Sequence, residues 1–222
     1  MTPAAILFDV DGTLIDTYRL YLESYRRALE PFLGYAPTDQ EFIDRRPSSE
    51  RRFLAEWVGA ERADACHEAL CRSYEELHAA LCEGMYDGVR EMLAGVRSAG
   101  IPVGVVTGKG RRAWVATSAR IDLGTFAVVV TDDDVDEPKP NPAGLLRAAS
   151  ELSLEPSAIA YIGDSAADLE AGKLAGMRVG AALWPKTSAD DRLGFLALVD
   201  RYSPDWTFER PADVTRLFAP WC

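Results

Sequence analysis

The chain has 222 residues, of which 48% are hydrophobic and 27% are charged, and its formal net charge at neutral pH is -11. These values are typical of a globular protein with one large domain or a core with a smaller appendage. The negative charge argues against nucleic-acid binding, because lysine and arginine carry phosphate contacts. No apolar run approaches the eighteen or so residues of a membrane span, and the N-terminal segment lacks the pattern of a secretory signal. We therefore expect a cytoplasmic monomer or homodimer with neither a membrane nor a nucleic-acid partner.

The first predicted strand spans Ala4–Val10, and two aspartates, Asp9 and Asp11, stand at its C-terminal end before Gly12. Because side chains alternate between the faces of a strand, both carboxylates should leave the strand end on the same side. Gly12 lets the backbone turn sharply and approach a ligand closely. Two crowded carboxylates repel each other, so the arrangement calls for a cation or a shared proton.

A long helical segment follows this strand. Asp9 and Thr107 lie 98 positions apart, whereas a strand–helix–strand unit needs only about thirty residues. The predicted helices in the interval are Tyr18–Phe32, Asp39–Arg45, Ser49–Val58 and Glu61–Leu81. An insertion directly after the first strand should lie over the C-terminal edge of the sheet, where open α/β folds bind ligands. We predict a core formed by residues 1–15 and 86–222, with residues 16–85 as an α-helical cap.

The rest of the chain alternates between strand-like and helix-like segments. The predicted strands are Ile101–Thr107, Phe126–Thr131, Ala158–Gly163 and Met177–Leu183, with a short edge strand at Trp206–Phe208. The predicted helices are Arg111–Arg120, Pro142–Leu152, Ala166–Ala175 and a closing helix at Ala212–Phe218. Continuous apolar runs suit strands buried on both faces of a parallel sheet. The alternation predicts an α/β fold with a doubly wound, Rossmann-like parallel sheet.

Polar motifs follow three of the later strands. They are Thr107-Gly108-Lys109, then Lys139-Pro140-Asn141-Pro142, then Gly163-Asp164-Ser165-Ala166-Ala167-Asp168. Each motif alone is a weak signal, since any of them occurs by chance in many proteins. Four motifs in this order, each at a strand end, are very hard to obtain by accident.

With these motifs the chain resembles the haloacid dehalogenase superfamily, on its phosphatase side and most closely the phosphoglycolate phosphatase-like subgroup with a helical cap. The resemblance covers nearly the whole chain. It implies a phosphatase that hydrolyses a small phosphate ester with Mg²⁺ as cofactor. It implies that Asp9 is the nucleophile and that Asp11 is the general acid and base. The phosphate-binding residues it implies are Gly12, Thr107, Gly108 and Lys139, and the metal ligands are Asp9, Asp164 and the Asp11 backbone carbonyl. Asp168 is implied as a supporting acid for Lys139 or for a metal-bound water.

The chemistry of these residue types agrees with that resemblance. A carboxylate that attacks a phosphate dianion must overcome like-charge repulsion, so a cation and a lysine are needed to neutralise the developing charge. Ligands that are all oxygen atoms suit Mg²⁺ rather than zinc. Asp11 favours phosphate over halide chemistry, because a hydrolytic dehalogenase needs neither this second aspartate nor a metal.

One departure from the resemblance lies beside the predicted phosphate site. Many relatives carry Asn where this chain has Gly108, so here the backbone N–H replaces a side-chain donor. The acidic run Asp132–Asp134 is interpreted mainly as a solvated loop, with contact to the cap or substrate as the alternative.

Two features of the cap are open to interpretation. Arg45 and Arg46 precede Pro47 in a loop that forms either a solvated basic surface or a substrate contact, since arginine binds carboxylates with two hydrogen bonds. His67 and Cys71, like His78 and Cys82, are spaced by four residues on one predicted helix. The two pairs should lie about 16 Å apart at 1.5 Å per residue, too far for one zinc ion, so we expect a packed helix face.

The remaining alternatives share the fold. A sugar phosphomutase of the beta-phosphoglucomutase type and an inorganic pyrophosphatase stay open beside the phosphatase. The cap lacks the Lys-Gly and Ser-Arg pattern of the mutases, and a catalytically silent binding protein should have lost an aspartate or the lysine.

Overall fold

The structure is a computed structural model that describes residues 2–45 and 49–219. Most of its strands are short runs of valine, isoleucine and alanine, and most of them pair in parallel. The strands are β1 (Ala5–Phe8), β2 (Ile15–Asp16), β3 (Gly84–Met85), β4 (Val103–Val106), β5 (Val128–Val130), β6 (Ile159–Gly163), β7 (Arg178–Ala182) and β8 (Trp206–Phe208). The helices are α1 (Tyr18–Leu33), α2 (Asp39–Arg45), α3 (Glu50–Val58), α4 (Ala60–Leu81), α5 (Val89–Ser98), α6 (Arg111–Ser118), α7 (Ala143–Leu152), α8 (Ala166–Leu174), α9 (Ala189–Tyr202) and α10 (Pro211–Phe218).

Six strands form one sheet in the order β5-β4-β1-β6-β7-β8, and every neighbouring pair is parallel. Strand β1 lies between β4 and β6, with Phe8 opposite Val105 on one side and Ile162 on the other. The strand order therefore reverses at β1, and a crevice opens there at the carboxyl ends of the strands. The predicted α/β fold is confirmed, including the edge strand Trp206–Phe208.

The two faces of the sheet carry separate hydrophobic clusters. Ile6 and Phe8 point to one face and pack with helices α5 and α10, whereas Ala5 and Leu7 point to the other face and pack with α7 and α8. All four residues of β1 are fully buried. A strand covered on both faces reads as an uninterrupted apolar run, and this explains why the sequence predicts it well.

Helices α1 to α4, here called the helical insert (Tyr18–Leu81), lie between β2 and β3. These two strands pair with each other, Ile15 opposite Met85 and Asp16 opposite Gly84, so the chain enters and leaves the insert at one place. The insert has its own hydrophobic cluster, which includes the aromatic residues Tyr25, Phe42 and Phe53. All four of its predicted helices are present.

Two helices of the core are absent from the predicted elements. Helix α5 buries Val89, Met92, Leu93 and Val96, which follow the spacing of an amphipathic helix, so the sequence does contain its signal. Helix α9 fully buries only Phe195, and its apolar stripe is correspondingly weak. Within the described part of the chain, none of the helices has the length and apolar character that crossing a membrane requires.

We expect Gly104→Ala to destabilise the sheet. A Cβ atom at Gly104 would lie 2.5 Å from Cγ1 of Val128 and 2.6 Å from Cδ2 of Leu7, both in neighbouring strands. Overpacking of this kind costs about 1–3 kcal/mol of unfolding free energy, which urea denaturation would measure. Gly194→Ala in α9 is the matched control, because a Cβ there meets no atom within 4 Å. A loss at Gly104 no larger than that of the control would contradict the tight packing of β4.

Candidate active site

Three carboxylates meet where β1 and β6 end side by side. Asp9 directly follows β1 in the chain, and Asp164 and Asp168 lie just beyond β6. All three are buried, and one oxygen from each lies within 4.8 Å of the others. The parallel pairing of the two strands thus brings together the aspartates of two motifs that the sequence predicted to share a site.

Lys139 neutralises part of this negative charge. Its ammonium lies 2.9 Å from Oδ1 of Asp9 and 2.6 Å from Oδ1 of Asp168, and it donates to the Tyr161 hydroxyl at 2.9 Å. Burial alone would lower the pKa of Lys139, but the carboxylates of Asp168 and Asp9 raise this pKa well above its ordinary value. The lysine therefore remains charged beside Asp9.

Asp9 is the carboxylate with the least hydrogen bonding in this cluster. Burial raises the pKa of Asp9 to about 7, against the effect of Lys139, and the neighbouring carboxylates of Asp168, Asp11 and Asp164 add to the rise. Its buried Oδ1 atom faces the Lys139 ammonium without the geometry of a hydrogen bond. A buried carboxylate oxygen that is paired with a lysine but makes no hydrogen bond suits a nucleophile or a cation ligand.

Asp164 lies against the turn that follows β1. Its Oδ1 atom accepts a hydrogen bond from the Thr13 hydroxyl at 2.9 Å, and its Oδ2 atom accepts one from the Lys186 ammonium at 2.6 Å. Gly12 has a φ of +80°, and a Cβ atom there would lie 2.6 Å from Oδ2 of Asp164. Only glycine therefore permits this close passage of the backbone.

These residues fit a hard divalent cation. The donors are carboxylate oxygens that are buried beside one another, Asp9 keeps an oxygen without a hydrogen bond, and the Gly12 backbone leaves room at Asp164. Oxygen ligands without nitrogen or sulfur favour magnesium-type ions over zinc.

Asp11 has surroundings different from those of Asp9. The Thr17 hydroxyl donates to its Oδ1 atom at 2.6 Å, and the Lys109 ammonium lies 2.9 Å from the same atom. Lys109 also donates to the hydroxyls of Tyr74 at 2.7 Å and Tyr21 at 3.1 Å. The two aspartates at the end of β1 are thus held by different lysines.

Thr107 and Gly108 lie at the carboxyl end of β4, next to β1. Thr107 is buried, its backbone N–H donates to Val130 O at 3.0 Å, and its hydroxyl accepts from the Lys109 backbone N–H at 3.2 Å.

Asp168 accepts hydrogen bonds from Lys139 and Tyr161 and from the N–H and hydroxyl of Ser165. All core residues predicted for the site therefore lie along one sheet edge.

Of the two arginines predicted to contact the substrate, only Arg45 lies within the described residues. The Arg45 guanidinium lies 3.9 Å from the centre of the Trp57 ring, at the end of α2. Arg46 lies outside the described residues. Arg45 makes no contact with the aspartates in this conformation, so its role as a substrate contact stays a prediction.

The interpretation of Asp132–Asp134 as mainly solvated is wrong for two of its three residues. Asp132 is half-buried and accepts a hydrogen bond from the Ser49 hydroxyl of the insert at 2.7 Å. Asp134 accepts hydrogen bonds from the N–H and hydroxyl of Thr131 and so caps the 3₁₀ turn Asp132–Asp134. The run lies close to the sheet because it follows β5 directly, and the first turn of α3 covers it.

The expected packed face of α4 is confirmed. His67 is buried and lies 3.0 Å from Oε2 of Glu50, with Cys71 3.8 Å away, whereas His78 contacts the Thr117 hydroxyl at 3.3 Å. Although burial alone would lower the pKa of His67, the contacts with Cys71 and Glu50 raise it to about 10. The two histidines thus serve separate contacts.

Comparison with known proteins identifies the family. The sequence model of the family of haloacid dehalogenase-like hydrolases matches residues 6–182 of this chain. The chain belongs to this family. It is 32% identical to the N-acetylmuramic acid 6-phosphate phosphatase of Pseudomonas aeruginosa, covering 84% of each chain, and 33% identical to the pyrophosphatase PpaX of Bacillus velezensis, covering 96% of this chain and 95% of that one.

The fold agrees with that of a solved structure. A candidate phosphoglycolate phosphatase from Lactobacillus plantarum superposes with a TM-score of 0.83 at 23% identity, over 98% of this chain and all of that one. The family and the phosphatases among its relatives confirm the expectation of a phosphatase.

Sequence reasoning missed several residues of the site. Thr13, Thr17, Tyr161 and Lys186 contact the aspartates, and Lys109 was noted only as part of its motif. For Lys186 a signal existed, because it follows the end of β7 as the other motifs follow their strands. The contacts of Lys109 with Tyr21 and Tyr74 left no local signal.

We expect Asp132→Asn to stabilise the protein at neutral pH. Burial, helped by Glu50 and Asp133, raises the pKa of Asp132 to about 6, against a hydrogen bond from Ser49. A raised carboxyl pKa means that the folded state loses stability as the pH rises from about 4 through 6. Since Asp132 is partly exposed, the gain from the amide should be about 1 kcal/mol at pH 7.5.

Thermal unfolding at pH 7.5 and pH 4.5 would measure this gain, which should be much smaller at the lower pH because Asp132 is then mostly protonated in the folded state. Asp136→Asn is the matched control, since Asp136 is an exposed aspartate four residues further along the chain. An equal gain at both pH values would show that the charge of Asp132 is not its cause.

Proposed function

We propose that the protein is a Mg²⁺-dependent phosphatase that hydrolyses a small phosphorylated metabolite through an aspartyl-phosphate on Asp9. The observation that carries the proposal is that the two aspartates, Asp9 and Asp11, have different surroundings. Asp9 is buried, and its Oδ1 atom faces Lys139 without a hydrogen bond, whereas Asp11 is held by Thr17 and Lys109. One position suits a nucleophile and the other suits a proton donor.

In the first half-reaction the Asp9 carboxylate attacks phosphorus, the bond from phosphorus to the leaving oxygen breaks, and Asp11 gives that oxygen a proton. In the second, the Asp11 carboxylate takes a proton from a water molecule that attacks the phosphorus. Inorganic phosphate leaves, and Asp9 is restored. Covalent catalysis of this kind divides one difficult displacement into two easier ones.

The surrounding residues neutralise charge and bind the phosphoryl group. Lys139, fixed by Asp168 and Tyr161, balances the negative charge that develops as Asp9 approaches the phosphate. Thr107 and the backbone of Gly12 and Gly108 are the proposed donors to the phosphoryl oxygens. Asp9, Asp164 and the backbone carbonyl of Asp11 would hold Mg²⁺, which when bound supplies further positive charge to the phosphoryl oxygens.

We also propose that residues 16–85 act as a cap over a core of residues 1–15 and 86–222. Both boundaries fall on the paired strands β2 and β3. The insert touches the site through Tyr21 and Tyr74, which bind Lys109. A unit joined to the core at one place, and in contact with the catalytic edge, is suited to select the substrate and exclude water.

Phosphoglycolate is the first proposed substrate, with its carboxylate bound by Arg45 or Arg46 of the insert. Arginine binds carboxylates with two parallel hydrogen bonds. Inorganic pyrophosphate is the second candidate, because a pyrophosphatase is 33% identical to this chain over nearly its full length.

A screen of phosphorylated metabolites with and without Mg²⁺ tests the proposal. We expect release of inorganic phosphate from at least one of phosphoglycolate, pyrophosphate and N-acetylmuramic acid 6-phosphate, with loss of turnover in EDTA and recovery when Mg²⁺ is restored. The donor set of buried carboxylates gives the physical reason. Full activity after exhaustive chelation would contradict the cation requirement. Conversion of a sugar phosphate into its isomer without release of phosphate would identify a mutase instead.

Asp9→Asn should abolish phosphate release, because an amide is a poor nucleophile and a poor cation ligand. We expect a loss of more than about 10³-fold in kcat, since the covalent route closes. Labelled phosphate should appear on the acid-quenched wild-type protein and not on the variant. Asp133→Asn, which changes an exposed carboxylate in the same way, should keep the wild-type rate. Turnover by the Asp9 variant within tenfold of the wild type would exclude Asp9 as the nucleophile.

A further inference from the structure

Lys109 has an unusually complete set of partners for a buried lysine. Only 1% of the residue is exposed, and three oxygen atoms surround its ammonium: Oδ1 of Asp11 at 2.9 Å and the hydroxyls of Tyr74 and Tyr21 at 2.7 and 3.1 Å. The ammonium donates hydrogen bonds to the two hydroxyls and forms an ion pair with the Asp11 carboxylate. The cost of burying this charge is thereby offset.

Both tyrosines belong to the helical insert, Tyr21 to α1 and Tyr74 to α4. The centres of their rings lie 5.0 Å apart, and each centre lies 4.5 Å from the ammonium, within the range of a cation–π contact. The insert, packed against the core, thus surrounds the lysine with two hydroxyls and two ring faces.

The tyrosines are themselves held in place. The Tyr21 hydroxyl donates to Oε1 of Glu50 at 2.7 Å, and Glu50 also contacts His67 at 3.0 Å. The Tyr74 hydroxyl lies 2.8 Å from the Thr117 hydroxyl of α6. Lys109 is therefore fixed from the insert and from the core, and its position depends on both.

The contacts of Asp11 are confined to one of its oxygens. Thr17 and Lys109 both bind Oδ1, and among the described residues no hydrogen bond reaches Oδ2. About a quarter of the Asp11 side chain is exposed (24%), whereas the Lys109 side chain is fully buried (0%). A substrate can therefore reach Asp11 but not Lys109.

We infer that Lys109 is a positioning residue for Asp11, which holds Oδ1 of the carboxylate and leaves Oδ2 to deliver the proton to the leaving oxygen. Because Tyr21 and Tyr74 hold Lys109, the correct placement of Asp11 depends on the packing of the insert against the core. This inference rests on the proposed function, in which Asp11 protonates the leaving group. The other role open to Lys109 is purely structural, a cation that balances a buried carboxylate.

The dependence of the rate on the leaving group separates the two roles. Phenyl phosphate and 4-nitrophenyl phosphate have nearly the same size, but nitrophenolate leaves readily without a proton, whereas phenolate benefits from one. The ratio of kcat/KM for the two esters therefore reports proton donation up to the first irreversible step. A structural defect lowers both values together and leaves the ratio unchanged.

We expect Lys109→Met to lower kcat/KM for phenyl phosphate roughly tenfold to a hundredfold more than for 4-nitrophenyl phosphate, since misplacing a catalytic group by about 1 Å costs on the order of 10²-fold. Asp11→Asn should shift the ratio in the same direction and further. Tyr21→Phe, which keeps the ring and removes the hydroxyl, should shift it by a smaller factor. That variant also tests the inference if Lys109→Met fails to fold.

Tyr25→Phe is the matched control, because Tyr25 is a buried tyrosine that stacks on Tyr21 with ring centres 5.7 Å apart and lies one helical turn away in α1. Its ratio should equal that of the wild type. An unchanged ratio in the folded Lys109 and Tyr21 variants, with Asp11→Asn shifted, would overturn the inference and leave the proposed function intact. An unshifted ratio in Asp11→Asn would contradict the proposed function itself, because that function makes Asp11 the proton donor.

Discussion

The concentration of negative charge at the carboxyl edge of the sheet is the constraint on which the rest of the structure depends. Four aspartates lie there, three of them buried, and burying an unpaired charge costs several kcal/mol. Three of the four lysines of the chain balance them: Lys139 lies beside Asp9 and Asp168, Lys109 beside Asp11, and Lys186 beside Asp164. In a chain with a net charge of -11, positive charge is thus placed where it is needed.

This balance is incomplete at Asp9. Burial raises the pKa of its carboxyl to about 7, and one buried oxygen has no hydrogen bond. A fully hydrogen-bonded carboxylate would be more stable there, so part of the negative charge stays unbalanced at this position. The aspartates around it are held by hydroxyl donors: Thr13 for Asp164, Thr17 for Asp11 and Ser165 for Asp168.

The helical insert is tied to the core by polar contacts as well as by packing. Ser49 binds Asp132, Arg112 of α6 binds Glu75 of α4, and Tyr74 binds both Thr117 and Lys109. The Lys109 contacts are buried and lead directly to Asp11, whereas the ion pair of Arg112 is exposed and worth little energetically. The packing of the insert on the core is therefore linked to Asp11 at the sheet edge through one buried cation.

The sequence by itself determined the fold class, the insertion after the first strand and the aspartates and Lys139 of the proposed site. These follow from local patterns, because an apolar strand ends where its motif begins, and parallel strands bring such ends to one edge. Only the tertiary structure decided what holds those residues. Thr13 and Asp164 are 151 positions apart, Lys109 and Tyr21 are 88 apart, and Ser49 and Asp132 are 83 apart. No local spacing encodes such partners, since their contacts form only when the insert packs on the core and β6 pairs with β1.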